Sequence, residues 1–358
     1  MGPACKWGFC FADFFDYNRL DYVWRWPMKV LMLTAEEVSR SMSVRDVIEA
    51  DKSAMGYYSS KKTDIPLRTN LDVKKSEGQA LFMPGLIEGE DALGVKIIAV
   101  YPKNADKGMP SVPATMVMMD AKTGFVKAIM DGTELTRMRT GGLSGAATDL
   151  LAKKDAEVFV LIGTGGQAKS QLESVLAVRP IQKAYIFNRK QEKADAFVES
   201  VKEDMKAYGA ELIGISDLAP VIPEADIITA VTTATSPVFD GNLVKPGCHI
   251  NGVGAYTPDM IELPPEIVAR ADKVYLDTID GVMHEAGDLM KPVQDGLVSR
   301  EKVEHEIGEV VLGTLVGREN DDEITLFKST GSAVFDIVVG EKVYQMAKEK
   351  GIGREIQL

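Results

Sequence analysis

Residues 158–189 read VFVLIGTGGQAKSQLESVLAVRPIQKAYIFNR. An apolar run is followed by a glycine-rich turn, a helical pattern and a second apolar run, which is the order of a dinucleotide-binding βαβ unit. We therefore predict a nucleotide site at this turn. Its cofactor-binding residues would be Gly163, Thr164, Gly165, Gly166 and Gln167.

The small residues of this turn have separate physical roles. Gly163 lets the chain turn sharply off the strand, Gly165 lets a pyrophosphate approach the backbone, and Ala168 lets the helix pack close to the strand. The pyrophosphate would then meet free N–H groups at the positive end of the helix dipole. A tight turn without a ligand is the alternative interpretation.

The end of the second apolar run indicates which cofactor binds. NAD-binding units usually place Asp or Glu there, where it accepts hydrogen bonds from the ribose 2′-OH. This chain has Asn188 and Arg189 instead. Because these residues can hold a 2′-phosphate, we predict a preference for NADP(H), with NAD(H) possible. The alternative is that Arg189 only caps the strand in solvent.

Composition bounds the class of protein. The chain has 358 residues, 45% of them hydrophobic and 26% charged, which is typical of a soluble globular protein. A net charge of −12 argues against nucleic acid or an anionic membrane as partner. No apolar run approaches the ~20 residues of a membrane span. Three cysteines (Cys5, Cys10 and Cys248) make no disulfide framework, so we expect a cytoplasmic protein.

Residues 1–27 differ from the rest of the chain. They hold all three tryptophans and two of the cysteines, and charged residues interrupt their apolar ones. That pattern does not match a signal peptide. We expect an atypical N-terminal extension, from an upstream start codon or as a poorly packed accessory segment, and an aromatic arm covering a partner surface is the alternative.

The pattern before the nucleotide motif predicts a mixed domain. Thr34 is a plausible helix N-cap, with Glu36 and Glu37 in the first turn. Helices are predicted at 46–59 and 133–152, the second rich in small residues for close packing or cofactor approach. A short strand is predicted at 30–33. Strands of an antiparallel sheet are predicted at 66–73, 79–84, 93–101, 112–120 and 126–131, the last two joined by a turn at Thr123 and Gly124.

After the motif, strands and helices alternate, which predicts a doubly wound parallel sheet. The last elements are a helix at 303–312, a strand at 324–329 and a helix at 333–349. The fold class is therefore α/β, with a Rossmann domain inserted in an α+β substrate-binding and dimerisation domain. We place the first domain at 28–145 and the Rossmann domain at 146–320. Residues 321–358 would return to the first domain as a strand and a helix.

Several motifs, in order, resemble the ornithine cyclodeaminase/mu-crystallin family. They are MPG at 83–85, GVKIIAVYPKN at 94–104, LTRMRTGGLSG at 135–145, IGTGGQA at 162–168, HINGVGAYTPDMIEL at 249–263, IGEVVLG at 307–313 and ITLFKSTG at 324–331. The resemblance implies a homodimer formed through the first domain, with a small imino or amino acid substrate bound between the two domains. Members include cyclodeaminases, alanine dehydrogenases and NADPH-dependent ketimine reductases, and mu-crystallin is also a hormone-binding protein.

The resemblance also assigns residues to the site. Arg68, Lys96 and Arg139 match the basic residues that bind the substrate carboxylate, and Ser329 and Thr330 match the loop that closes over the substrate. Further cofactor contacts match Ser111, Arg139, Thr140, Thr232 and Val253. Taken singly, each basic residue is equally consistent with a structural salt bridge. Lys96 lies on an apolar strand, however, where an unpaired lysine is costly.

Departures from the cyclodeaminase pattern indicate the reaction. The two acids of cyclodeaminases are replaced by Leu81 and Tyr256, and a basic residue by Met260. The side-chain ammonium of ornithine therefore has no evident partner. We predict NAD(P)H-dependent reduction of a cyclic ketimine carboxylate, as in the mu-crystallin branch, with Lys96 and Tyr256 as the candidate catalytic residues. Ornithine cyclodeaminase is the alternative, followed by an alanine dehydrogenase or a nucleotide-bound binding protein.

The remaining reactive side chains indicate no further site. His249, His284 and His305 lack metal-ligand spacing, so we predict no metal. Cys248 has no base near it in sequence and is not predicted to be a nucleophile.

Overall fold

Two β-sheets organise residues 29–357, the part of the chain that the computed structural model describes. Residues 1–27, for which we expect an atypical N-terminal extension, lie outside the described residues. The first sheet contains β1 (Lys29–Leu33), β2 (Thr63–Asp64), β3 (Thr69–Val73), β4 (Gly78–Ile87), β5 (Ala92–Val100), β6 (Ala114–Asp120), β7 (Val126–Asp131) and the last strand of the chain, Arg354–Gln357.

The first sheet is mixed rather than purely antiparallel. Strands β4 to β7 form an antiparallel ladder, whereas β1 pairs with β7 in parallel and with Arg354–Gln357 in antiparallel orientation. The turn between β6 and β7 has Gly124 at φ +76°, a left-handed conformation that suits glycine. The strand predicted at 66–73 begins only at Thr69, where pairing with β4 starts.

The second sheet is the predicted doubly wound parallel sheet, and that prediction is confirmed. It contains β8 (Val158–Ile162), β9 (Lys183–Phe187), β10 (Glu211–Ile215), β11 (Ile227–Ala230), β12 (His249–Gly252), β13 (Lys273–Leu276) and β14 (Thr325–Lys328). The strand order is β10-β9-β8-β11-β12-β14-β13, and every pairing is parallel. The order reverses direction between β8 and β11, where such sheets bind ligands at the carboxyl ends of their strands.

Helices cover both sheets. They are α1 (Ala35–Ser41), α2 (Val44–Ser59), α3 (Gly132–Leu151), α4 (Ala168–Val178), α5 (Gln191–Met205), α6 (Pro265–Arg270), α7 (Ile279–Glu285), α8 (Gly287–Gln294), α9 (Ile307–Val311) and α10 (Ala333–Lys350). Thr34 caps α1 as predicted, because its hydroxyl accepts from the Glu37 N–H while the Glu37 carboxylate accepts from the Thr34 N–H.

Two predictions at the C-terminal end are wrong. Strand β14 does not return to the first domain but lies between β12 and β13 in the parallel sheet. Each of its residues is buried, as expected for a strand covered on both faces. The helix predicted at 303–312 is reduced to α9, because Glu306 caps a new helix start at that point. Helix α10 packs on α2 and β4–β6, and the final strand, now β15 (Arg354–Gln357), joins β1.

The small residues of α3 allow close helix packing. A Cβ on Gly141 would lie 2.6 Å from the backbone oxygen of Ser170 in α4, and one on Gly145 would lie 2.7 Å from Ile48 in α2. Helix α3 thus joins the two parts of the fold. Among the described residues, no helix is long and apolar enough to cross a bilayer.

Candidate functional site

A cavity of about 320 Å³ opens between the two parts of the fold. Tyr58 of α2, Arg68 and Met83 line it from the first part, and Thr278 and residues of α7 line it from the second. The start of α10 closes one side. The remaining wall includes Ile65, Pro66, Leu67, Asp280, Gly281, His284, Glu285, Gly331, Ser332 and Ala333.

Two of the predicted carboxylate-binding residues share one buried acid. Lys96 Nζ lies 2.5 Å from Asp336 Oδ2, and Arg139 Nε donates to Asp336 Oδ1 at 3.0 Å. Strand alternation turns Lys96 inward while Ile97 faces outward, so the lysine meets the first turn of α10. Burial lowers the pKa of Lys96 to about 8, although Asp336 opposes this shift.

The third basic residue lies at the cavity and pairs across it. Arg68 Nε donates to Glu285 Oε1 at 3.0 Å, so the loop before β3 is tied to the end of α7. The two side chains remain about one fifth exposed. Arg68 is therefore accessible to a ligand but already has an anionic partner.

The loop after β14 lies between these basic groups. Asp277 accepts hydrogen bonds from Ser329 Oγ at 2.6 Å and from the Gly331 N–H at 2.9 Å. Gly331 has φ +77°, and a Cβ there would lie 2.7 Å from Arg139 Nη1. The buried Thr330 hydroxyl has no hydrogen-bond partner among the described residues. The structure thus gathers Arg68, Arg139, Ser329 and Thr330 around one region.

The glycine-rich turn has the geometry expected of a pyrophosphate site. Gly163 adopts φ +115°, and a Cβ there would lie 2.8 Å from the Val231 carbonyl oxygen. Positions 165 and 166 face open space, with no heavy atom within 4 Å of an added Cβ. The buried Gln167 Oε1 has no partner within residues 29–357. Open space at the start of α4 and an unpaired polar atom fit a bound dinucleotide.

At the end of β9, Asn188 Nδ2 donates to Thr164 Oγ1 at 2.7 Å, which links the second strand to the turn. Arg189 is exposed beside it. Thr140 is linked to the same region, since its carbonyl oxygen accepts from Gln171 Nε2 of α4 at 2.8 Å.

Thr232 and Val253 follow β11 and β12, next to the turn after β8. A buried acid that the sequence prediction missed, Glu262, accepts from the Thr232 N–H at 2.8 Å and from the Gly254 N–H at 2.6 Å. Burial raises the pKa of Glu262. Glu262 stands between Ile261 and Leu263 in the motif 249–263, and an acid between apolar residues could have indicated a buried, hydrogen-bonded carboxylate.

Lys328 is the buried cation nearest to Glu262. Its Nζ lies 3.7 Å from Glu262 and 2.7 Å from Asp288 Oδ2, and all three side chains are fully buried. Removing one partner of such a group typically lowers the free energy of unfolding by about 3–5 kcal/mol, because a buried charge is left without a counter-charge.

No hydrogen bond or ion pair among the described residues joins the side chain of Tyr256 or of Ser111 to the basic cluster. Tyr256 lies on the loop after β12 with 37% of its surface exposed, and no hydrogen bond joins its side chain to another described residue. Ser111 lies between β5 and β6, where its carbonyl oxygen accepts from the Tyr101 N–H. The catalytic role of Tyr256 and the cofactor contact of Ser111 stay predictions.

The histidine and cysteine near the cofactor strand are structural. His249 is buried between Thr325 Oγ1 and Asn251 Oδ1, and burial lowers its pKa to about 3. Burial raises the pKa of the Cys248 thiol to about 12. Within residues 29–357, no group of three or more His, Cys, Asp or Glu side chains could hold a metal ion.

Comparison with known proteins shows which proteins this chain resembles. The model of the ornithine cyclodeaminase/mu-crystallin family matches residues 28–351. A Δ1-pyrroline-2-carboxylate reductase of Bacillus cereus is 39% identical over 328 residues, covering 92% of this chain and all of the relative.

Two solved structures are also similar. The Δ1-pyrroline-2-carboxylate reductase of Thermococcus litoralis in complex with NADH and L-proline has a TM-score of 0.85 at 38% identity, over 91% of this chain and all of the other. An archaeal alanine dehydrogenase dimer with bound NAD has a TM-score of 0.82 at 33% identity, over 92% of this chain and all of the other. The chain belongs to the ornithine cyclodeaminase/mu-crystallin family.

Proposed function

We propose that this protein reduces a cyclic ketimine carboxylate, Δ1-pyrroline-2-carboxylate or Δ1-piperideine-2-carboxylate, to the cyclic amino acid with NADPH or NADH. The observation that carries the proposal is the sharing of one acid, Asp336, by Lys96 and Arg139. Two cations and one anion leave a net positive charge in a buried place, which favours an anionic substrate group. The similarity to two reductases that act on pyrroline-2-carboxylate supports the choice of substrate.

The basic residues bind and orient the substrate. Lys96 and Arg139 hold its carboxylate by charge-assisted hydrogen bonds, and Arg68 joins them by exchanging Glu285 for the substrate. Fixing the carboxylate also fixes the adjacent imine carbon, which lowers the entropic cost of reaction. The Thr330 hydroxyl supplies a further hydrogen bond from the loop after β14.

The turn at 163–167, Asn188, Thr232 and Val253 would hold the dinucleotide. When bound, the nicotinamide supplies the hydride that reduces the imine carbon. Lys96 is the proton-bearing group of the site, because a pKa of about 8 leaves it charged at neutral pH. It can give a proton to the ring nitrogen, and it regains one after the product has left, because the side chain is only 1% exposed.

We also propose that NADP(H) is the preferred cofactor, with NAD(H) possible. Arg189 is exposed beside Asn188 at the end of β9, where the adenosine ribose of a dinucleotide lies in such folds. A guanidinium there attracts a 2′-phosphate. The relatives with bound NADH and NAD support dinucleotide binding at this turn.

A homodimer through the first sheet is the third part of the proposal. Alternation along the strands places Val95, Ile97, Val117 and Ile129 on the face opposite Lys96, and these side chains remain partly exposed. An apolar sheet face of this kind suits a second copy of the chain. The alanine dehydrogenase relative is a dimer.

The test compares two reactions. The full-length protein is given NADPH or NADH with Δ1-pyrroline-2-carboxylate, and separately NAD⁺ with L-ornithine. We expect oxidation of the reduced cofactor and formation of proline, because Leu81 is a buried apolar residue where cyclodeaminases have an acid. Release of ammonia from ornithine without oxidation of NADPH would reject the reductase proposal in favour of a cyclodeaminase. Ligand binding without either reaction would favour a binding protein.

A further inference from the structure

The acid shared by the two cations, Asp336, lies in the first turn of α10 and is completely buried. Lys96 reaches it from β5 and Arg139 reaches it from α3, so one carboxylate joins three elements. Each of its oxygens receives one of the two cations. Neither cation therefore lacks a partner before substrate binds.

Other charged groups face this cluster from the neighbouring elements. Asp51 faces Arg139 and Asp336 from α2, Asp277 faces Arg139 from the end of β13, and Arg68 faces Lys96. Burial raises the pKa of both Asp51 and Asp277. Asp336 is thus the acid that contacts both cations directly.

We propose that Asp336 is the positioning residue of this site: it keeps Lys96 charged and fixes Arg139, so that both cations can bind the substrate carboxylate. This inference rests on the proposed function. The alternative is that the acid serves only the fold, because removing one partner of a buried ion pair is strongly destabilising. The two roles differ in what they do to the pH dependence of the reaction.

The expected pH dependence follows from Lys96. Burial lowers the pKa of Lys96 to about 8, and Asp336 raises it against that effect. In the wild-type protein, kcat/KM should fall above about pH 8 as Lys96 loses its proton. Without the Asp336 charge, Lys96 should lose its proton at a pH about 1–3 lower, which is the usual effect of an adjacent opposite charge on a pKa.

The experiment measures kcat/KM for Δ1-pyrroline-2-carboxylate against pH in Asp336→Asn. We expect the alkaline limb of the pH profile, where kcat/KM falls as pH rises, to move to lower pH. At pH 8, kcat/KM should fall about 100-fold, as when one partner of a buried charge pair is removed. The affinity for NADPH should stay within about threefold, because Asp336 does not contact the nucleotide turn. A limb that stays near pH 8 with nearly unchanged kcat/KM would overturn the proposal.

Matched variants separate positioning from stability. Glu341→Gln removes a buried acid on the same helix. Glu341 is not part of the cluster and pairs with Lys127, with 2.8 Å between Lys127 Nζ and Glu341 Oε2. It should lower the melting temperature yet leave the limb in place. Asp336→Glu keeps the charge and should keep the limb near pH 8. If Asp336→Asn does not fold, a limb displaced equally in Asp336→Glu and in Glu341→Gln would overturn the proposal.

Binding of pyrrole-2-carboxylate, a planar carboxylate that cannot be reduced this way, gives a readout without turnover. We expect the wild-type protein to bind it and Asp336→Asn to bind it about 100-fold more weakly at pH 8. Failure of the wild-type protein to reduce the imine would count against the proposed function. Equal binding by the wild type and Asp336→Asn would count against the role of Asp336 alone.

Discussion

At the scale of single residues, the site consists of cations whose partners are already present. Lys96 and Arg139 share Asp336, and Arg68 pairs with Glu285. A lysine in an apolar strand correctly indicated a paired group, because an unpaired buried ammonium is too costly. Sequence spacing could not identify the partner, since Asp336 lies 240 residues after Lys96.

The cofactor preference is tested at one residue. In Arg189→Ala, the exposed guanidinium beside the end of β9 is removed. We expect the Kd for NADPH to rise about tenfold or more, because a charge-assisted hydrogen bond to the 2′-phosphate is lost. The Kd for NADH should stay unchanged, and titration of both cofactors by fluorescence measures the two values. Equal affinities of the wild type and the variant for NADPH would refute the preference.

At the scale of elements, helix α3 connects the substrate side to the cofactor side. It carries Arg139 and Thr140, and it packs against α2 on one side and α4 on the other. From the sequence, the many small residues of this helix are equally consistent with close helix packing and with close approach of a cofactor. The structure shows close packing, with Gly141 against Ser170 and Gly145 against Ile48.

Gly141→Ala tests this packing. The added Cβ would lie 2.6 Å from the carbonyl oxygen and 2.8 Å from the carbonyl carbon of Ser170, which are backbone atoms that cannot rotate aside. We expect a loss of about 1–3 kcal/mol in the free energy of unfolding, measured by chemical denaturation. Gly56→Ala in α2 is the control, since its Cβ meets Val311 only at 3.5 Å and alanine favours the helix. Equal stability of the two variants would contradict the packing argument.

At the scale of the whole molecule, the cavity exists because the chain crosses between the two sheets more than once. Arg68 comes from the first part, Glu285 from the second, and α10 returns to the first after β14 has joined the parallel sheet. The substrate side and the cofactor side therefore meet at the middle of α3, the carboxyl end of β14 and the start of α10. A shift between the two parts would change the distance between Arg68 and Glu285, because this pair joins them.

The proposed dimer is tested at this scale. Ile97→Lys places a charge on the apolar outer face of the first sheet, where Ile97 is 41% exposed. Burying an unpaired charge between two copies is costly, so we expect a monomer where the wild type is a dimer. Light scattering after size exclusion measures the mass. Leu297→Lys, at a position 60% exposed in the loop after α8, is the control and should stay dimeric.

The features that depend on local pattern could be predicted from the amino-acid sequence. The apolar run, the glycine-rich turn and the helix at 158–178 predict a βαβ unit of the dinucleotide-binding type, and the alternation after it predicts a parallel sheet. The long-range partners became evident from the folded structure: Asp336 meets Lys96, Glu262 meets Thr232, and β14 pairs with β12 and β13. The physical reason is that periodicity shows that a side chain or strand must be buried. What it is buried against depends on how distant segments pack.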